Sequence, residues 1–264
     1  MTASSSERVP VVVTGLGMVT AAGEGTETAW SVLRDGHSAL GPLSLFDPAP
    51  YGLSIAGEAL SIAREDGVDR ALQLLDMAAD EVLTAAGWGD DERGGDTGVV
   101  LGTCQGAIEG AGGIHRRYAK RPVPAGDADD RRAFAEYRPG FGTTRLAERI
   151  GAEGPLSTVG MVCVSSSVAL MHAVDLVRCG EARRVLAGGF EAFTQFVLTG
   201  FHCIGALADE ELRPFDQDRT GTVLGEGAVL MTLEREDDAR ARGATILARV
   251  LGAGVANALH TRGH

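Results

Sequence analysis

Short apolar runs that end in glycine alternate with helix-forming segments along this chain, and this alternation limits the folds that it can adopt. Three of the runs consist of β-branched and small apolar residues, as buried strands do, and each leads into a glycine turn. The segments between the runs carry apolar residues at helical spacing. Strands that alternate with helices predict an α/β fold with a mixed, mostly parallel sheet and helices on both faces. These three runs are 9–13, 99–101 and 185–187, and the main helical segments are 26–34, 69–86, 143–150 and 165–178.

Chain length and composition predict a single domain. The chain has 264 residues, and no repeat or low-complexity linker divides it, so we expect one domain over 1–264. Its most polar stretch, 113–140, contains Pro122, Pro124 and Pro139. This composition predicts a long surface loop or lid.

Charge and cysteine usage exclude several classes of function. The formal net charge of -12 argues against non-specific binding to nucleic acid or to an anionic membrane. No apolar run approaches the roughly 20 residues that a membrane span needs, and the segment 1–10 has no apolar signal-peptide core. The four cysteines form no CxxC pair, and the six histidines have no metal-ligand spacing. These features predict a cytoplasmic protein with four free thiols and no metal.

The strongest chemical signal lies in the segment 157–167, where a β-branched run meets a helix at Cys163. A cysteine at a helix N-terminus feels the positive end of the helix dipole, which favours the reactive thiolate. The free backbone N–H groups of the same helix start can hold a developing oxyanion. Cys163 is therefore a candidate nucleophile. The alternative is a buried core cysteine that precedes a serine-rich helix start.

Five sequence blocks follow one another along the chain: 11–17, 154–167 around Cys163, 186–191, 213–219 and 225–228. In this order they resemble the N-terminal half of the β-ketoacyl synthases, a family of thiolase-fold condensing enzymes. The resemblance implies one half of the duplicated αβαβα thiolase-like fold. It also implies that Cys163 accepts an acyl group from a phosphopantetheine thioester, presented by an acyl carrier protein or coenzyme A, with no bound cofactor.

The resemblance places two further residues beside the acyl group, and each has an alternative role. Gln105 stands where the family often has an apolar residue, so its polar side chain favours a short or functionalised acyl group, or no acyl pocket at all. A solvent-facing loop glutamine is the other interpretation. Phe201 matches a position that lines the acyl pocket in relatives, and core packing explains it equally well. His172 lies in the nucleophile helix, where we expect a structural role.

The second half of the family fold carries two histidines that serve decarboxylation of the malonyl extender, and their motifs do not occur in this sequence. His260 and His264 match neither motif, so we assign them no catalytic role. We expect an acyltransferase of fatty-acid or polyketide-type biosynthesis that needs a partner for condensation. The alternative is a non-catalytic subunit, similar to a chain-length factor, that stabilises or shapes a partner, although the presence of Cys163 argues against it.

A half-fold would leave one helix layer uncovered, so another copy, a partner subunit or a rearranged structure must cover it, unless the sequence is part of a longer protein. We expect a homodimer or a heteromer with a ketosynthase-like subunit. The resemblance implies that the strand 185–188 forms the main dimer contact. An acidic carrier protein would need a basic patch, for which 115–117, 120–121 and 131–132 are candidates, with a solvated loop as the alternative.

Overall fold

The computed structural model of the protein describes residues 9–119, 128–208 and 211–256. The main strands and helices begin within two residues of their predicted positions. The strands are β1 (Val11–Thr20), β2 (Gly23–Glu24), β3 (Gly41–Pro42), β4 (Ile55–Ala56), β5 (Thr97–Gly102), β6 (Leu156–Val159), β7 (Arg184–Glu191), β8 (Gly227–Arg235) and β9 (Ala248–Val250). The helices are α1 (Thr26–Arg34), α2 (Arg70–Ala86), α3 (Asp90–Arg93), α4 (Glu109–Tyr118), α5 (Ala128–Glu136), α6 (Phe141–Ile150), α7 (Ser165–Cys179), α8 (Gln195–Cys203) and α9 (Glu236–Ala241).

The main sheet has seven strands in the order β2-β1-β8-β7-β5-β6, with β9 also paired to β1. β5 runs parallel to β6 and β7, whereas β8 runs antiparallel to both β7 and β1. The α/β fold with a mixed sheet is confirmed, but the expectation that the sheet is mostly parallel is wrong, because β1 also pairs antiparallel with β2 and β9. Alternation of strands and helices predicts parallel pairing only where a helix crosses over the sheet, and α8 instead packs against residues 43–56.

The strands direct alternate side chains into two hydrophobic cores on opposite faces of the sheet. On β5, Val99 and Leu101 face the first core and Val100 faces the second. On β7, Leu186 faces the first core and Ala187 the second. α2 and α6 cover the first face, and α7 packs on the second. Strands covered on both faces need apolar residues at consecutive positions, which explains the unbroken runs in the sequence.

Of the polar stretch expected to be a surface loop or lid, the described residues 113–119 and 128–140 are mostly helical. α4 and α5 lie on either side of 120–127, and those eight residues fall outside the described ones. The two helices are joined by the Tyr118 hydroxyl, which donates to the buried carboxylate of Asp130 at 2.6 Å. The prolines suggested a loop, but none of them lies inside a described helix. Pro139 follows α5, and at that position a proline interrupts no helical hydrogen bond.

α7 is the apolar helix of the second face. Among the described residues, one segment, Val162–Cys179, is long and apolar enough by length and composition alone to cross a membrane. The serines of this segment interrupt its apolar run, so the sequence did not predict it. Its inner side, with Ala169, Ala173 and Val177 fully buried, packs on β5 and β7, as the core helix of a sheet protein does.

The strand expected to form a dimer contact lies inside the sheet. β7 is hydrogen-bonded to β5 along one side and to β8 along the other, so the segment 185–188 has no free edge. The prediction of a dimer through this strand is therefore wrong, because a strand with both edges paired cannot accept another strand. In the part of the chain that the structure describes, β6 ends the sheet and pairs with β5 alone.

Candidate active site

Cys163 lies in a single turn of 3-10 helix, Val162–Val164, between β6 and α7. The hydrogen bonds of this turn are donated by the N–H of Val164 to Met161, at 3.2 Å, and by the N–H of Ser165 to Val162. Cys163 is exposed, so it is not the buried core cysteine that the alternative interpretation requires. α7 begins directly after the turn without a side-chain cap, so Cys163 lies at the positive end of the helix dipole.

The residue before Cys163 has an unusual backbone conformation. Val162 has a φ of 51°, in the left-handed region that a β-branched residue seldom adopts. Ser165 holds this conformation: its hydroxyl donates to the Val162 carbonyl at 2.7 Å and accepts from the Met161 N–H at 2.8 Å. Because Ser165 is buried, these bonds are shielded from water, and the turn that carries Cys163 is fixed.

Two glycines allow the start of α7 to lie directly on the sheet. A Cβ at Gly102, the last residue of β5, would lie 2.4 Å from backbone atoms of Ser165 and Ser166. A Cβ at Gly189, in β7, would lie 2.6 Å from the Cβ of Ser166. Real Cβ atoms do not approach other atoms so closely, so only glycine permits this packing of the Cys163 turn against the strand ends.

Glu191, at the end of β7, organises the loop that follows β5. Its Oε2 accepts the N–H of Cys104 at 2.7 Å and the hydroxyl of Thr103 at 3.2 Å, and its Oε1 accepts the N–H of Gln105 at 3.2 Å. Burial raises the pKa of the Glu191 carboxyl, and the three hydrogen bonds oppose that rise. Glu191 was not predicted to be a site residue. The sequence feature that could have indicated its role is the position of this carboxylate at the end of an apolar strand.

A cavity of about 300 Å³ opens beside Cys163. Its wall combines strand residues with the first two turns of α7, and it is mainly apolar with a few polar groups, as small-molecule sites are. Within the part of the chain that the structure describes, no histidine lines this cavity. The wall includes Cys163, Ser166, Leu170, Phe190, Glu191 and Met231.

Three other residues named from the sequence, Gln105, Phe201 and His172, do not line this cavity. Gln105 is held through its backbone by Glu191, but its side chain is not part of the described cavity wall. Phe201 is half-buried on α8, one turn after Leu198, and it does not line the cavity either. The roles of Gln105 and Phe201 beside an acyl group stay predictions. The Nε2 of His172 lies 3.1 Å from the hydroxyl of Ser157, which ties α7 to β6 and fits a structural role.

The basic residues suggested for carrier docking are divided between two helices. The segment 115–117 is near the end of α4, 131–132 lies on α5, and 120–121 falls outside the described residues. The guanidinium of Arg132 pairs with Glu136 at 2.7 Å, so part of the positive charge is already neutralised. Docking of an acidic carrier protein here stays a prediction.

Known proteins share this arrangement of strands and helices. The family model described as "Beta-ketoacyl synthase, N-terminal domain" matches residues 8–239. Nodulation protein E of Rhizobium meliloti (strain 1021) is 34% identical over 95% of this chain and 64% of its own length. The solved structure of "The ishigamide ketosynthase/chain length factor" matches with a TM-score of 0.84 and 30% identity, over 93% of this chain and 63% of that one.

A second solved structure is described as a type II PKS acyl-carrier protein in complex with its ketosynthase bound to the hexaketide. It matches with a TM-score of 0.80 and 26% identity, over 92% of this chain and 62% of that chain. The chain thus spans less than two thirds of the length of these relatives. The family match and the shared fold together show that the chain belongs to the β-ketoacyl synthase family and has the thiolase-like fold of its N-terminal domain.

Proposed function

We propose that the chain takes part in thioester-dependent acyl transfer in fatty-acid or polyketide-type biosynthesis, with Cys163 as the residue that carries the acyl group. The observation that supports this most directly is the exposed Cys163 thiol beside a cavity of about 300 Å³, at the uncapped start of α7. A nucleophile, a space for its substrate and the N-terminus of a helix therefore meet at one place.

In the proposed reaction the sulfur of Cys163 attacks the carbonyl carbon of an acyl thioester, and a new carbon–sulfur bond forms. The carbonyl oxygen becomes negative in the tetrahedral intermediate. The N–H of Cys163 is the donor we propose for this oxyanion, and the dipole of α7 adds to its effect. Collapse of the intermediate breaks the original carbon–sulfur bond, and the departing thiol takes up a proton.

Condensation with a malonyl extender would need more than these residues supply. Decarboxylation builds negative charge on an enolate, and no histidine of the described residues lines the cavity. We therefore propose that a further domain or a ketosynthase-like partner completes the site. Apolar side chains around the Cys163 turn support such an assembly, because Met161, Val162 and Val164 are 47%, 67% and 48% exposed.

The proposed acyl donor is an acyl carrier protein or coenzyme A thioester, and the proposed location is the cytoplasm. A carrier protein is supported by the type II ketosynthase that was solved with its own acyl carrier. Because phosphopantetheine already activates the acyl group as a thioester, the proposed transfer uses no bound cofactor. Because the chain is acidic, we propose binding neither to nucleic acid nor to a membrane.

Intact-mass spectrometry after incubation with acyl-coenzyme A and with acyl-carrier protein tests the proposal. The wild-type chain should gain one acyl group, Cys163→Ala should gain none, and Cys203→Ser should label like wild type. Equal labelling of wild type and Cys163→Ala would show that another residue is the nucleophile. Release of carbon dioxide from malonyl-carrier protein by the chain alone, at an enzymatic rate, would contradict the need for a partner.

The second candidate function is that of a non-catalytic subunit, similar to a chain-length factor, which binds and shapes a partner. The exposed apolar side chains of Met161, Val162 and Val164 also favour this function, since they suit a protein interface. It predicts stable binding to a ketosynthase and no acyl group on Cys163. The same labelling experiment therefore separates the two functions.

A further inference from the structure

A second thiol lies next to the turn that carries Cys163. The Sγ of Cys104 donates a hydrogen bond to the Val162 carbonyl at 3.0 Å, and it lies 3.9 Å from the Ser165 hydroxyl. The Val162 carbonyl oxygen and the Cys163 Cα belong to one planar peptide unit, so the Cys104 sulfur lies within about 6 Å of that Cα. The Cys104 sulfur is therefore a near neighbour of Cys163, as a disulfide between the two residues would require.

The electrostatics of the loop also indicate that the two thiols interact. Burial raises the pKa of the Cys104 thiol, its hydrogen bond with Ser165 lowers it, and negative charge on Glu191 and Cys163 raises it further. Charge on Cys163 can act on Cys104 in this way only if the two groups are near each other. The raised pKa makes Cys104 less readily ionised than an ordinary cysteine thiol.

Both thiols are accessible, and the backbone of Cys104 is fixed. Cys104 and Cys163 are each exposed, so a small oxidant can reach either one. The Cys104 N–H is held by Glu191 at 2.7 Å, and the Cys163 turn is held by Ser165. Closing the gap between the sulfurs thus depends mainly on side-chain rotation.

We propose that Cys104 and Cys163 form a peroxide-reactive dithiol site that closes reversibly into a disulfide. The sulfur of Cys163 attacks a hydroperoxide: a sulfur–oxygen bond forms, the oxygen–oxygen bond breaks, and water or an alcohol leaves. The Cys104 sulfur then attacks this sulfenic acid, forming the sulfur–sulfur bond and breaking the sulfur–oxygen bond. The released hydroxide takes the Cys104 proton and becomes water, so the two thiols are oxidised by two electrons and the peroxide is reduced.

The consequence is protection of the proposed nucleophile. A sulfenic acid without a neighbouring thiol is oxidised further to sulfinic acid, which thiols cannot reduce. A disulfide with Cys104 stops this reaction, keeps Cys163 out of acyl transfer, and returns both thiols when a dithiol reductant is supplied.

Hydrogen peroxide treatment followed by non-reducing tryptic mapping tests the proposal, because trypsin places each of the four cysteines in its own peptide. In wild type we expect a cross-linked pair of the peptides 94–116 and 150–178. Dithiothreitol should remove this cross-link and restore alkylation of Cys163 by iodoacetamide. In Cys104→Ser we expect Cys163 to accumulate as sulfinic acid at least about tenfold faster than in wild type.

Cys203→Ser is the matched control, because Cys203 ends α8 and is also exposed, and it should form the cross-link as wild type does. Circular dichroism during heating checks that both variants fold alike. Equal rates of Cys163 over-oxidation in wild type and Cys104→Ser, with no cross-linked pair, would overturn the proposal. The readout uses no acyl substrate, so its outcome is independent of whether Cys163 carries an acyl group.

Discussion

Two helices of similar length, α2 and α7, pack on opposite faces of the sheet, and they differ in burial and in how they begin. Ten of the 17 residues of α2 are buried, but only five of the 15 residues of α7. α2 begins at Asp69, whose side chain caps it, whereas α7 begins at Val164 without a side-chain cap. The first face of the sheet thus contributes most of the packing, and the second presents an uncovered helix start and a thiol to a ligand.

The largest expected difference between the two helices is in the cost of truncating a leucine. Leu75 of α2 is 1% exposed within the first core, whereas Leu176 of α7 is half-buried at the border of the second. Leu75→Ala should lower the free energy of unfolding by about 3 kcal/mol, and Leu176→Ala by about 1 kcal/mol. Urea unfolding of the purified chain, followed by circular dichroism, measures both. Equal losses would show that α7 is covered in solution as completely as α2.

A smaller effect is expected from adding one carbon where α7 meets the sheet. The Cβ of Gly102→Ala would collide with the backbone of Ser165 and Ser166, so the start of α7 must shift. We expect a loss of about 2 kcal/mol in unfolding free energy, together with loss of acyl labelling at Cys163. Gly200→Ala on α8 is the control, because no atom lies within 4 Å of its added carbon. If Gly102→Ala labels normally, the close contact does not position the Cys163 turn.

The elements that could be predicted from the sequence are those whose signal is local. The runs at β5 and β7 are apolar at consecutive positions because both of their faces are covered, and the helix at α2 follows from its apolar spacing. The turn at Cys163 was predictable for the same reason, since a β-branched run, a cysteine and a helix follow one another within 157–167. The resemblance to a family then added a chemical role that the local pattern alone left open.

The features that the sequence did not reveal depend on contacts between distant residues. The order of strands that places β7 between β5 and β8 has no local signal, so the dimer contact was assigned to a buried strand. Glu191 contacts Cys104 across 87 residues, and neither position suggests the other. α8 was missed although Thr194 caps it, because the residues that anchor it, such as Phe193 and Leu53, come from two separate segments.

The smallest expected effect concerns the capped start of α2. Asp69 accepts the Ala71 N–H and the Glu109 N–H, each at 2.9 Å, so one carboxylate caps both α2 and α4. Burial raises the pKa of Asp69 from 3.8 to about 6, although these hydrogen bonds oppose the rise. Asp69→Asn keeps one acceptor oxygen but turns an amide group toward the second N–H, so it should lose about 1 kcal/mol through the missing cap.

The pH dependence of this variant distinguishes burial from capping. Because the pKa of Asp69 is higher in the folded chain than in the unfolded one, the folded chain binds more protons between pH 3.8 and about 6. The stability that Asp69 contributes is therefore fully present below pH 3.8 and declines as the pH rises to about 6. Urea unfolding of wild type and Asp69→Asn across this range gives the difference between their unfolding free energies. The contributions of the other carboxylates are common to both proteins and drop out of this difference. The advantage of wild type should shrink as the pH rises and stay constant above about pH 7. An advantage that grows instead would mean that the two N–H donors outweigh burial, and that the cap of α2 is strongest when Asp69 is charged.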